Sequence, residues 1–260
     1  MASPELEEAL NHTEHRPYPL PKGMWALRMR WNDLLFMHWP VPESRLRPLI
    51  PPTLELDTFD GSAWLSVTPF RMERTRPRFL PAVPWLSSFP ELNVRTYVTH
   101  QDKPGIWFFS LDANNPIAVR LARATYGLPY FDAEMFCRTT GNNVRYGSVR
   151  AHKGAPPARL AVSYRPVGEP FNSRTGTLES FLTERYCLYS AGAANRASGS
   201  GRVRRGDIHH RPWPLQPAEA EVEELEMTSQ IGVALPDTGP ALHFARRLDV
   251  VAWLPKRLDA

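Results

Sequence analysis

Long apolar runs are missing from this 260-residue chain. No stretch approaches the ~20 apolar residues that a membrane-crossing helix requires. The opening MASPELEEALNHTEH is polar and acidic, unlike a secretory signal, so cytoplasmic residence is the expectation. Cysteine is nearly absent too. Cys137 and Cys187 are too few for a disulfide scaffold and have no metal-ligand spacing, so both are read as reduced, buried thiols. Of 31 basic residues only Lys22, Lys103, Lys153 and Lys256 are lysines, each in a turn or near a terminus where water keeps the amine protonated. The chain also lacks a glycine-rich phosphate loop, a G-x-S-x-G elbow and a Cys/His pairing signature. His38, His100, His152 and His243 have no ligand spacing, and the adjacent His209 and His210 would point to opposite faces of a strand. Neither a metal site nor a cofactor is expected.

What is plentiful is proline. Its 27 copies are about twice the usual share and favour short elements and strands over long helices. A hydrophobic fraction of 42% with 22% charged residues is ordinary for a globular protein. The net charge of +4 is spread along the chain, and the one dense run, RVRR at 202–205, suits a solvated strand or loop better than a nucleic-acid patch. Trp39, Trp64, Trp107 and Trp213 fit a core or pocket wall better than a base-stacking platform. No nucleic-acid or membrane partner is therefore expected, and homo-oligomerisation is left open.

The stretch DANNPIAVRLARATYGLPYF at 112–131 organises the reading. Asn115 can cap a helix, Pro116 suits its first position, and Gly127 with Pro129 stops it. Ile117, Leu121 and Ala124 fall at i, i+4 and i+7 and predict its buried face. Strands are predicted over 25–39, 63–72, 91–98, 106–112, 132–140, 144–153, 158–165, 199–210 and 241–254. Short helices should open at Pro42 and at Thr177, the second ending in ERYCLY. The proline-laden PRFLPAVPWLSSFP reads as a long loop of the lid or pocket-wall kind, and the acidic 219–226 stays open in type. Residues 1–23 read as a flexible arm ahead of a single domain over 24–256.

Residues 91–98 alternate, with Leu92, Val94, Thr96 and Val98 on one face and Glu91, Asn93, Arg95 and Tyr97 on the other. The next strand, IWFFSL, is apolar on both faces. If the two pair, the Glu91/Asn93/Arg95/Tyr97 side lines an enclosed space. Glu91 and Arg95 lie about 13 Å apart along the strand at ~3.3 Å per residue, so each needs its own partner: Arg120, Arg123 or Arg150 for Glu91, a ligand carboxylate or a structural ion pair for Arg95.

The ordered motifs FPELNVRTYV, GIWFFSLDA, ARATYGLPYF, YGSVR, TLESFLTERYCLY and HHRPWPLQ resemble the bacterial YqjF-like family, domain of unknown function 2071. The resemblance spans about Trp25 to Leu254 and implies membership of the acetoacetate decarboxylase-like superfamily. The implied fold is α+β, an antiparallel sheet curled into a cone or partial barrel with a few flanking helices. Glu91 is similar to a strand glutamate lining the decarboxylase pocket, and Arg123 to the arginine of its Gly-Arg-Glu run. Tyr130 and Phe131 stand where that family carries its lysine pair, and Ala124 replaces a glutamate. Imine formation needs an unprotonated, desolvated amine, for which acetoacetate decarboxylase is the general example, so Schiff-base chemistry is not expected here.

The resulting expectation is a small organic ligand, a carboxylate or carbonyl compound, bound in the cone by Glu91, Arg95, Tyr97, Arg123 and Tyr130. One alternative is a lysine-independent lyase, hydratase or isomerase in which Tyr130 or Glu91 moves a proton. Another is an interaction module using the basic surface. Tyr130 and Phe131 as mere space-fillers are the bland counterpart to all of these.

Overall fold

Gln101 and Asp102, both at positive φ (48° and 58°), reverse the chain between two strands that are buried over most of their length. This hairpin is the centre of the computed structural model, which describes residues 10–192 and 203–258. The strands are β1 (Leu27–Val41), β2 (Glu55–Leu56), β3 (Ala63–Pro77), β4 (Phe89–His100), β5 (Lys103–Ala113), β6 (Tyr130–Thr140) and β7 (Asn143–Arg150). They continue with β8 (Arg159–Pro166), β9 (Cys187–Ser190), β10 (Arg204–His209), β11 (Leu215–Leu225), β12 (Ala241–Ala252) and β13 (Lys256–Arg257). Short helices accompany them, among them α1 (Glu43–Leu46), α2 (Pro84–Ser87), α3 (Pro116–Tyr126) and α4 (Leu178–Thr183).

Strands β12, β1, β3, β4 and β5 pair antiparallel, in that order, into one wall. The wall forks at both edges. The free edge of β5 takes β9 at Ile106 and Trp107 and β6 at Leu111 to Ala113, both parallel. The free edge of β12 takes β11 around Ala245 and β10 at Ala252. Two branches, β6-β7-β8-β11 and β9-β10, thus ring the wall in part without making a barrel.

The alternation on β4 sorts residues between two apolar clusters. Leu92, Val94 and Val98 pack with Met37, Leu65, Tyr146 and Val162 on one side. Tyr97 packs on the other with Phe36, Phe70, Phe108, Tyr130 and the inner residues of α3 and α4, Val119 and Leu182. Both faces of the central hairpin are covered, as the sequence pattern implied.

Helix α3 has the expected ends. The Asn115 side chain accepts from Ala118 N at 3.1 Å, and Gly127 sits at φ 65°. A Cβ on Gly127 would meet the backbone nitrogen of Gly192 at 3.3 Å, so the close approach to the end of β9 needs glycine as much as the φ does. The buried face is not the predicted one. Ile117 and Leu121 are 48% and 57% exposed and Ala124 is exposed, whereas Ala118, Val119, Ala122 and Tyr126 meet the sheet. Ala118, Val119, Ala122 and Tyr126 form a second apolar stripe at helical spacing, and it is this one that meets the sheet, with the Asn115 amide donating to Leu86 O (3.1 Å) and the Tyr126 hydroxyl donating to Trp253 O (3.2 Å).

Other expectations are corrected in detail. Helix α4 stops at Thr183, and the ERYCLY segment turns into β9 because Cys187 to Ser190 finds β10 on one side and β5 on the other. The acidic segment is part of β11, whose glutamates face the arginines of β8, with Arg165 to Glu219 at 2.8 Å. The proline-rich loop contains α2. Cys137 is half-buried, and only Cys187 is fully enclosed. Of the N-terminal arm, residues 10–23 are described, and Arg16 ties them to β10 by donating to Ile208 O at 2.8 Å. Residues 202 and 193–201, part of the predicted 199–210 strand and of the basic run, lie outside the described residues.

One ion pair is enclosed by the branch β6-β7. Arg150 grips Asp112 through two bonds of 2.6 Å, and its remaining nitrogen donates to Gln230 Oε1 at 2.6 Å. Burial pushes the Asp112 carboxyl above its ordinary range even with the arginine against it. Arg150→Met strands that carboxyl, and urea unfolding should register a loss of about 3–5 kcal/mol. Adding Asp112→Leu should restore most of it, and a double variant no more stable than the single one would refute this account.

Candidate functional site

The site grows from the polar face of β4. Tyr130 is the first residue of β6, presented by the exit from α3: Leu111 N donates to Pro129 O (3.0 Å), and Arg123 donates to Tyr130 O (2.7 Å). That geometry turns the Tyr130 ring inward, and its hydroxyl donates to Glu91 Oε2 at 2.9 Å. Glu91 is 2% exposed, with the Asn93 side chain contributing to its surroundings, and its backbone carbonyl accepts from Tyr146 at 2.8 Å. Burial outweighs those bonds and pushes the Glu91 carboxyl up to about 7. Burial, then the neighbouring Glu91, raises the Tyr130 phenol well above its ordinary value. Phe131 points the other way, its ring under the Arg150 guanidinium at 4.1 Å.

Farther along β4, Arg95 rests on the Phe36 ring (5.3 Å), and its Nε is buried without a hydrogen-bond partner among the described residues. Burial lowers the proton affinity of its guanidinium. The Tyr97 hydroxyl donates to Leu182 O at 3.0 Å, anchoring the end of α4. On β1, His38 is fully buried and stacked on Phe36 at 5.5 Å, with both ring nitrogens unpartnered among the described residues. Burial first, then Arg95 and His243, hold it neutral. Across β3, the hydroxyls of Ser66 and Thr68 bond each other at 2.9 Å on the same face.

Sequence reasoning placed Glu91, Arg95, Tyr97 and Tyr130 on this face, and the structure brings them to one interior. Arg123 is not with them. It holds the Tyr130 carbonyl from the end of α3. The arginines proposed as partners for Glu91 are engaged elsewhere, Arg120 with Asp132 (2.7 Å) and Arg150 with Asp112. His38 was passed over because it lacked ligand spacing. The available signal was its place inside the otherwise apolar run LLFMHW, where a polar ring is hard to solvate.

Residues 28–249 match the family described as an uncharacterized conserved protein, the domain of unknown function 2071. The chain belongs to this family. It is 45% identical over 234 residues to the uncharacterized protein YqjF of Bacillus subtilis (strain 168), covering 90% of this chain and 93% of that one. Among solved structures it is similar to acetoacetate decarboxylase from Legionella pneumophila subsp. pneumophila str. Philadelphia 1, with TM-score 0.62 and 12% identity over 100% of this chain and 98% of that one. It is similar also to an acetoacetate decarboxylase-like enzyme from Sphingomonas wittichii RW1 (TM-score 0.60, 13% identity, 94% and 98% covered). The enduracididine biosynthesis enzyme MppR, complexed with pyruvate, matches with TM-score 0.60 and 11% identity over 95% and 93%. The YqjF family therefore has the acetoacetate decarboxylase-like fold.

The Glu91 carboxyl makes a pH prediction. Because native Glu91 holds its proton more tightly than the unfolded chain does, its contribution favours the native state at low pH and is lost as pH rises through about 7. Glu91→Gln keeps the acceptor for Tyr130 and removes the titration. Below about pH 4.5 the variant and parent should melt alike; by pH 8 the variant should be more stable by on the order of 3 kcal/mol. A stability gap that does not widen with pH would show that the carboxyl titrates normally.

Proposed function

We propose that this YqjF-family protein binds a small organic carboxylate or carbonyl compound in the interior bounded by β4, β3, β1 and the start of β6. Glu91, Arg95, Tyr97 and Tyr130 are its polar lining, and Arg123 is a positioning residue that holds the Tyr130 backbone. The observation that carries the reading is the buried, unpartnered Nε of Arg95 in an interior that also encloses the Glu91–Tyr130 pair. Burying a guanidinium N–H with nothing to receive it costs stability that an apolar side chain would not, so the arrangement has no advantage for folding alone. An anionic oxygen would satisfy that donor. Pyruvate in the related fold of MppR supports the same ligand class.

A lysine-independent lyase, hydratase or isomerase is the second reading. It is favoured by one observation, the 2.9 Å bond between Tyr130 and a carboxyl poised at about 7, where a group gives and takes protons with equal ease. Imine chemistry has no support here, since Lys22, Lys153 and Lys256 are exposed and Lys103 is half-buried at the start of β5.

A panel of short carboxylates and keto acids, acetoacetate and pyruvate among them, should raise the melting temperature of the purified protein, and Arg95→Met should abolish the rise. No shift across the panel would end the binding proposal. If the protein also turns a ligand over, Tyr130→Phe should lose turnover with affinity kept. Borohydride with acetoacetate should leave the protein mass unchanged, and a covalent adduct on any lysine would reverse the argument against imine chemistry.

A further inference from the structure

Resting on the binding proposal, the orphaned polar atoms of the interior describe the ligand that would satisfy them. His38 and Arg95 belong to one cross-strand row, through the pairings of His38 with Ser66 and of Ser66 with Arg95, so their side chains leave the wall on the same face. Both lie against the Phe36 ring, at 5.5 Å and 5.3 Å. A neutral histidine presents one N–H and one lone pair, so this end offers at least two unmet donors, His38 N–H and Arg95 Nε–H. His243, opposite Phe36 on β12, adds an unpartnered Nδ1 and is half-buried, with Glu179 of α4 nearby. This end gathers unmet donors.

Asn93 is the complement. It is 5% exposed on the same face of β4, between Glu91 and Arg95, and its Oδ1 has no partner among the described residues. As placed, the amide turns its oxygen to this face as an unmet acceptor. Successive same-face positions on a strand are about 6.6 Å apart. An acceptor at that spacing from the donors asks for a hydroxyl or amine a few bonds from the acid group.

We infer that the interior selects a short hydroxy acid, its carboxylate received by Arg95 and His38 and its hydroxyl donated to Asn93 Oδ1. A keto acid of the same skeleton meets the anion end equally well and leaves Asn93 unmet. A buried polar group left unpaired discriminates strongly against the analogue that lacks the donor.

The matched probes are 3-hydroxybutyrate and acetoacetate, compared by calorimetric titration. The parent should bind 3-hydroxybutyrate at least about tenfold more tightly, in line with one hydrogen bond of about 1.4 kcal/mol. Asn93→Leu should erase the preference while acetoacetate affinity is retained. His38→Phe should weaken both ligands about tenfold or more and leave the ligand-free protein as stable or more so, since it removes two unpartnered nitrogens; His38→Gln serves where phenylalanine misfolds. Binding of both acids without preference, or with acetoacetate favoured, overturns this inference and leaves the binding proposal standing. If neither these acids nor the wider carboxylate panel binds, both fall. Unchanged affinity in a folded His38 variant removes the anion end as drawn.

Discussion

A strand buried on both faces is the constraint from which the rest follows. Because β4 has sheet neighbours on each side and apolar clusters above and below, its polar positions are cut off from bulk water, fully at Glu91, Asn93 and Tyr97 and in part at Arg95. An enclosed carboxyl, amide and guanidinium must find partners inside, lose charge, or wait for a partner that arrives from outside. All three outcomes occur between Glu91 and Tyr97. Glu91 takes Tyr130 and a raised proton affinity, the Tyr97 hydroxyl takes a backbone carbonyl, and Asn93 and Arg95 each keep an unpaired atom.

The aromatic pair at the end of α3 fits this logic. Tyr130 and Phe131 are adjacent in a strand and so face opposite ways, one to the buried carboxyl and one to the Arg150–Asp112 pair. In a decarboxylase-like scaffold, an ammonium beside Glu91 would bring a second buried charge. A phenol brings a neutral donor instead, and burial moves the carboxyl toward neutrality although the phenol's hydrogen bond opposes it. Hydrogen bonding and proton transfer are what a phenol and a carboxyl at this contact supply.

Much of the fold was legible because its signals are local. Alternation on 91–98, the Asn115-Pro116 start and the Gly127 stop each rest on residues close in sequence, and each appears as read. What was missed is what depends on distant partners. Helix α3 carries apolar residues on two sides, and only the sheet decides that the Ala118/Val119/Ala122/Tyr126 side is buried. The ERYCLY segment becomes a strand because β5 and β10 arrive on either side of it. In the site, Glu91, Arg95, Tyr97 and Tyr130 could be assembled from strand parity plus family likeness, but Arg123 was misplaced. A helix-terminal arginine reaches equally far toward a pocket or a carbonyl, and only the backbone path chooses. His38 offered only its place in an apolar run, because its lack of hydrogen-bond partners among the described residues is a property of the fold.

The forked edges of the wall also have a consequence for how the protein is made. Leu27, near the start, ends up opposite Ala252, near the finish, and β12 supplies the attachment for both branches. As the polypeptide emerges from the ribosome, β1 therefore waits with one edge bare until β12 is translated. Such late, long-range closure makes acquisition of the native state slow and leaves the nascent chain open to edge-to-edge association.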